Sequence, residues 1–85
     1  MTSYPEPLEV LSNSLGKPVW LITRDTKEYT GTLLGFDEYV NVVLLDATEY
    51  ERLEGGLFSE EAICGKVFLN GSSVEIIVPG GKPPQ

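Results

Sequence analysis

The sequence contains no histidine and a single cysteine, Cys64, among its 85 residues. Histidine is the commonest general base and the commonest metal ligand in proteins, and one thiol cannot form a disulfide within a chain. The sequence also lacks a glycine-rich loop of the kind that cradles phosphates. We therefore expect no enzymatic activity, no metal site, no cofactor and no small-molecule substrate.

Long apolar runs and positive charges are scarce as well. Apolar runs such as residues 42–45 are far shorter than the roughly 20 residues of a membrane-spanning helix, so we expect no membrane association. The N-terminus has neither the basic start nor the apolar core of a secretion signal, which favours the cytosol or the nucleus. The sequence has six basic and thirteen acidic residues, which gives a net charge of −7. Nucleic acid would therefore be bound only locally, or within an assembly whose other members supply positive charge.

The apolar pattern changes its period once along the chain. Leucines at positions 8, 11 and 15 share one face of a helix that starts near Pro7 and ends at Gly16. The rest is typical of strands, which we predict at residues 18–23, 28–36, 41–51, 62–69 and 74–78, with an acidic loop over 52–61. Glycines at 31 and 35 inside the second strand predict a strong bend. An antiparallel meander or a small barrel follows.

The last predicted strand is an exposed edge without the usual protection. Residues 74–78 contain neither proline nor positive charge, which are common devices against unwanted strand pairing. A domain of this size is also only marginally stable by itself. We infer that another subunit covers this edge.

Residues 31–46 carry the most specific pattern in the sequence. A glycine-bent strand leads into Asp37, Tyr39 and Asn41 at alternate positions, and an apolar strand ending in an acid follows. This pattern resembles the first motif of the Sm and Sm-like (Lsm) family, and residues 68–71 stand at the place of the second. The resemblance extends over residues 6 to 80. It implies a mainly β fold, with an N-terminal helix on a strongly bent five-stranded antiparallel sheet, an open barrel that forms rings.

The domain limits follow from the same resemblance and from composition. We expect a single Sm-like domain over residues 6–79, a flexible arm over 1–5 and a mobile tail over 80–85. A narrower resemblance, to one paralogue of the eukaryotic heteroheptameric rings, is carried by residues 31–37, 69–71 and 78–81.

The family resemblance implies partners as well as a fold. Family members pair the fourth strand of one subunit with the fifth strand of the next, so the partners are other Lsm subunits in a seven-membered ring. The implied interface residues are Cys64, Lys66, Val67, Phe68, Leu69, Val74, Ile76, Ile77 and Val78.

The short link between the second and third strands can form a nucleotide site. An aromatic ring such as that of Tyr39 stacks on a base with about 1–3 kcal/mol. The amide of Asn41 offers a donor and an acceptor, which suits a uracil edge, and Asp37 can orient that amide. Gly71 allows close approach, and its N–H can bind a base carbonyl. The resemblance implies one uridine per subunit at Tyr39, Asn41, Asn70 and Gly71.

Position 70 departs from the family pattern. The family usually has arginine or lysine at this place, where the side chain covers the base and counters phosphate charge. Asn70 brings neither a charge nor a large stacking surface. We therefore expect this pocket to bind a nucleotide more weakly than the pockets of its neighbours.

The function implied by the resemblance has a nuclear and a cytoplasmic part. The nuclear ring of the family binds the uridine-rich 3′ end of U6 small nuclear RNA in splicing, and a cytoplasmic ring acts in messenger RNA decapping and decay. Both compartments are therefore implied.

Two simpler interpretations remain open from the residues themselves. Residues 37–41 can be ordinary turn chemistry, and the chain can be a small acidic β-barrel that binds proteins and has no RNA role. On any interpretation, residues 70–71 are predicted to form a hairpin turn.

Overall fold

The computed structural model describes residues 6–53, 55 and 58–81, with only the backbone of residues 58–64. Its elements are α1 (Pro7–Ser14), β1 (Pro18–Thr23), β2 (Lys27–Phe36), β3 (Val42–Arg52), β4 (Phe58–Leu69), a 3₁₀ turn (Gly71–Ser73) and β5 (Val74–Pro79). The strands form one antiparallel five-stranded sheet in the order β4-β3-β2-β1-β5. The predicted fold is confirmed. Within the described residues, no helix is long and apolar enough to cross a membrane.

The prediction for the start of β4 was wrong. We predicted a loop up to residue 61, whereas β4 begins at Phe58. The backbones of Phe58, Ser59 and Glu60 pair with the last residues of β3, after a register shift at Tyr50. Acidic residues disfavour strands only weakly, because strand propensity depends strongly on context. Backbone pairing with β3 therefore prevailed over the acidic composition of this segment.

The prediction of a hairpin turn at residues 70–71 was also wrong. β4 and β5 lie at opposite edges of the sheet and do not pair with each other. Asn70 instead caps the 3₁₀ turn, because its Oδ1 accepts a hydrogen bond from the N–H of Ser72 at 3.0 Å. The turn carries the chain from the β4 edge to β1, with which β5 pairs.

The bend of the sheet comes from close approach between β2 and β3. A Cβ on Gly31 would lie 3.1 Å from the carbonyl oxygen of Leu45 and 3.2 Å from the Cα of Ala47. Across from it, Asp46 adopts a left-handed φ of 54°, and the register shifts between Thr30 and Thr32. Glycine on one strand and a bulge on the other are the usual means of bending a sheet.

Among the described residues, an apolar core lies between the bent sheet and α1. Its buried residues are Leu11, Val19, Leu21, Leu33, Val42, Leu44, Ala47 and Leu69. Each large aliphatic side chain contributes about 1.5–3 kcal/mol when fully buried. α1 contacts this core through Leu11, with Leu8 packed beside it.

A buried carboxylate, that of Glu28 on β2, links β2 to β1 and to the end of β3. Glu28 is only 1% exposed, and its Oε1 accepts a hydrogen bond of 2.5 Å from Trp20 Nε1. Its Oε2 accepts one of 2.7 Å from Arg52 Nε. Tyr50 stacks on Trp20 with ring centroids 5.0 Å apart. The end of β3 is thereby held against β1 and β2.

The chain termini are described only in part. Residues 1–5 and 82–85, where we predicted most of the arm and tail, lie outside the described residues. At the start of the predicted tail, the N–H of Gly80 donates to Pro18 O at 3.0 Å, and Thr30 Oγ1 donates to Gly81 O at 3.2 Å. The domain limits stay a prediction.

Candidate nucleic-acid interface

The link between β2 and β3 is a tight loop with one strained residue. The N–H of Asp37 donates to the carbonyl of Asn41, and the N–H of Val40 donates to the carbonyl of Asp37, both at 3.1 Å. Val40 has a φ of +66°, in the left-handed region that β-branched residues rarely adopt. A strained residue of this kind persists only where its surroundings hold it, and such residues cluster at functional sites.

Asp37 organises this loop through both carboxylate oxygens. Its Oδ1 accepts hydrogen bonds from the N–H groups of Tyr39 (2.9 Å) and Asn41 (3.1 Å). Its Oδ2 accepts one of 2.9 Å from Asn41 Nδ2. The pKa of Asp37 lies below its usual value, chiefly because of the Asn41 side-chain amide and further because of the two backbone donors. The carboxylate is therefore ionised at neutral pH.

The Asn41 amide is fixed from both ends. Its oxygen accepts a hydrogen bond of 2.6 Å from the N–H of Gly71, and its nitrogen donates to Asp37. We predicted that the Gly71 N–H would be available to a base carbonyl, but the structure gives this donor to Asn41. Apart from these bonds, the amide keeps one N–H and one lone pair. One donor and one acceptor therefore remain for a ligand.

Close packing of the two segments requires glycine at position 71. A Cβ there would lie 1.9 Å from the carbonyl oxygen of Tyr39 and 2.9 Å from the carbonyl carbons of Tyr39 and Val40. No side chain fits this space without a movement of the backbone. The 37–41 loop and the 70–73 turn thus form one unit, although they are far apart in sequence.

An open cleft of about 610 Å³ lies at this unit. It is lined by Gly35, Phe36, Asp37, Asn41, Val42, Val43, Phe68, Leu69 and Asn70. Three of the predicted site residues therefore meet in one cleft of the size that proteins use for small ligands. Tyr39, on the 37–41 loop, is 72% exposed, so its ring is accessible to a ligand.

Asn70 and Arg24 hold the 70–73 turn by hydrogen bonds. The Oδ1 of Asn70 accepts from both the N–H and the hydroxyl of Ser72, each at 3.0 Å. Arg24 donates from its Nε to Ser72 O and from its backbone N–H to Ser73 O, both at 2.9 Å. We did not predict Arg24 as a site residue, since nothing in the sequence connects the β1–β2 turn to residues 70–73.

The predicted interface strands are the two edges of the sheet. Phe68 on β4 is 75% exposed and Ile76 on β5 is 45% exposed. Lys66 is also exposed, whereas Leu69 is buried in the core. The half-buried members of the predicted set are Val67, Val74, Ile77 and Val78. The side chain of Cys64 lies outside the described residues.

Two curated relatives resemble the chain over most of its length. It is 43% identical over 79 residues to a probable U6 snRNA-associated Sm-like protein LSm5 of Dictyostelium discoideum, covering 93% of this chain and 79% of the relative. It is 40% identical over 77 residues to the LSM complex subunit lsm5 of Schizosaccharomyces pombe, covering 91% of both. Both carry the name of the fifth Lsm paralogue, which confirms the narrower resemblance.

Two solved structures share the fold. One is a Pyrococcus abyssii Sm protein in complex with a uridine heptamer, with a TM-score of 0.72 and 34% identity over 89% of this chain and 100% of that chain. The other is a heptameric archaeal Sm protein, with a TM-score of 0.63 and 34% identity over 82% of this chain and 94% of that chain. The family model of the LSM domain matches residues 9–79, and the chain therefore belongs to the LSM domain family.

Proposed function

We propose that the chain is a subunit of a heteroheptameric Lsm ring that binds the uridine-rich 3′ end of RNA. The observation that carries the proposal is the Asn41 amide, fixed by Asp37 and Gly71 with a donor and an acceptor left over. The solved relative with a bound uridine heptamer, the relative named as a U6 snRNA-associated Sm-like protein and the relative named as an LSM complex subunit support it.

The roles of the site residues follow from their chemistry. Tyr39 stacks on a base, and Asn41 reads the base edge with its free N–H and lone pair. Asp37 keeps the amide in one orientation, and Gly71 lets the turn approach the loop. Asn70 borders the base and adds no charge, so this pocket contributes modestly to the affinity of the ring.

The ring is closed by the sheet edges. The β4 edge of this chain pairs with the fifth strand of one neighbour, and the β5 edge pairs with the fourth strand of the other. Pairing of this kind satisfies backbone groups that are otherwise open and buries exposed apolar side chains such as Phe68 and Ile76. Positively charged neighbours offset the net charge of −7.

The place of this subunit in the cell follows from the ring. In the nucleus, the ring acts on U6 small nuclear RNA in U6 snRNP assembly and pre-mRNA splicing. In the cytoplasm, a ring containing the same subunit acts in messenger RNA decapping and decay. The subunit itself is not an enzyme and supplies binding surface alone.

The test is the affinity of the assembled ring for short oligouridine. The double substitution Tyr39→Ala with Asn41→Ala should weaken binding several-fold, while native mass spectrometry still gives the mass of the intact ring. Leu34→Ala, on β2 and 48% exposed, is the control and should change nothing. An unchanged affinity in the double variant would remove this pocket from the RNA path. Failure of the wild-type ring to bind oligouridine would favour the protein-binding barrel.

A further inference from the structure

We propose that Arg24, which is hydrogen-bonded to the 70–73 turn, contacts the phosphate backbone of bound RNA. This inference rests on the proposed RNA function. Arg24 donates to the carbonyls of Ser72 and Ser73, while Gly71 in the same turn donates to Asn41. The base-reading amide and the guanidinium are therefore attached to one rigid turn.

The guanidinium has donors to spare. Its Nε–H is used on Ser72 O, which fixes the plane of the group. Four N–H groups on the two terminal nitrogens remain, in the fork geometry that matches a phosphate. Arg24 is exposed and forms no ion pair with any residue that the structure describes. Its neighbour Asp25 is instead engaged by the hydroxyl of Thr23.

The other described cations are occupied or lie elsewhere. Lys27 pairs with Glu49 at 3.1 Å, and Arg52 pairs with the buried Glu28. Lys17 follows α1, and Lys66 lies on the β4 edge. Among the residues that the structure describes, Arg24 is thus the cation in contact with the turn.

A local charge matters more in this chain than in most RNA-binding proteins. The net charge is −7, so the overall field of the subunit repels a phosphate chain. Charges farther away than a Debye length of about 10 Å are largely screened at 0.1 M salt, whereas a contacting cation still acts. A guanidinium hydrogen-bonded to the turn therefore supplies a local attraction for a phosphate that the net charge of the subunit does not.

The experiment measures the salt dependence of oligouridine binding by the assembled ring. A phosphate contact releases a counterion, and each contact with a single strand adds about 0.7 to the slope of log K against log salt concentration. Arg24→Gln, which keeps an amide to bond Ser72 O, should reduce that slope by about 0.7. Arg24→Lys should retain it. Lys17→Gln removes the same charge away from the turn and should leave the slope unchanged.

The outcomes separate this inference from the function on which it rests. An unchanged slope in Arg24→Gln, or an equal reduction in Lys17→Gln, would overturn the phosphate contact. Asn41→Ala should lower the affinity at every salt concentration without changing the slope, so it reports on base recognition alone. Absence of binding by the wild-type ring would instead refute the proposed function. Should Arg24→Gln fail to assemble, Arg24→Met, which keeps an aliphatic stem without the charge, should reduce the slope by about the same 0.7, and an unchanged slope there would equally overturn the contact.

Discussion

Asn41 and Gly71 are 30 residues apart in sequence, yet the side-chain oxygen of the first lies 2.6 Å from the backbone nitrogen of the second. This bond joins the loop after β2 to the turn before β5. Because the other end of the amide is held by Asp37, the amide cannot flip without the loss of two hydrogen bonds. Recognition by Asn41 thus depends on the position of the turn that connects the two edge strands, β4 and β5.

Gly71→Ala should damage both stability and recognition. The new Cβ would stand 1.9 Å from the Tyr39 carbonyl oxygen, so the backbones must separate. Overpacking typically costs about 1–3 kcal/mol, and we expect Gly71→Ala to lose at least that much unfolding free energy. The variant should also bind oligouridine more weakly. Urea unfolding at a fixed protomer concentration measures the first. Gly35→Ala, where the added methyl meets nothing within 4 Å, is the matched control for unfolding, and equal losses of unfolding free energy in both variants would contradict the steric argument.

Local chemistry made much of the site predictable. Asp and Asn favour tight turns because their side chains hydrogen-bond to nearby backbone groups, so the contact between Asp37 and Asn41 could be predicted. The helix and the glycine bend followed from the apolar period and from glycine placement, except that α1 ends at Ser14 and Leu15 lies beyond it, 52% exposed. These features depend on neighbours within a few positions, which a single sequence displays directly.

The remaining features depend on tertiary contacts. The Gly71 N–H has its partner in Asn41, and Arg24 has its partners in residues 72 and 73, across the fold from the β1–β2 turn. The placement of β5 beside β1 is likewise a property of the whole sheet, and an Asn-Gly pair cannot by itself distinguish a hairpin from a crossover. The buried Glu28 appeared in sequence as one acidic residue among thirteen.

The loop should lose its order at low pH because of Asp37. Its pKa is lowered from an ordinary value of 3.8, chiefly by the Asn41 side-chain amide. A carboxylate with a lowered pKa stabilises the folded loop fully above that ordinary value, and the contribution is lost as pH falls through the lowered pKa. The NMR shifts of the Asn41 side-chain amide should therefore titrate with a midpoint below 3.8. Asp37→Asn should abolish this titration, and a midpoint at or above the ordinary value would contradict the hydrogen-bonded geometry.

Arg52→Ala should destabilise the chain more than Lys27→Ala. The first leaves the carboxylate of Glu28, with its side chain 1% exposed, without its charged partner, whereas the second breaks a pair exposed by 32% and 21%. We expect about 2–3 kcal/mol for Arg52→Ala, because Arg52 is partly exposed and Trp20 still donates to Glu28. Lys27→Ala should cost about 0–1 kcal/mol. Fluorescence of the single tryptophan, Trp20, during urea unfolding reports both, and equal losses would argue against a special role for Glu28.

Asn70→Arg should strengthen RNA binding at some cost to the turn. The substitution removes the Oδ1 that accepts from the N–H and hydroxyl of Ser72, and loss of such a cap costs about 0.5–2 kcal/mol. In return it adds a cation that can stack on a base and pair with phosphate. We expect tighter oligouridine binding by the ring, with a salt slope steeper by about 0.7. Asn70→Ala loses the same cap and gains no charge, so it isolates the cost. If both variants bind more weakly than the wild type, the Asn70 cap, and not its missing charge, determines how this pocket works.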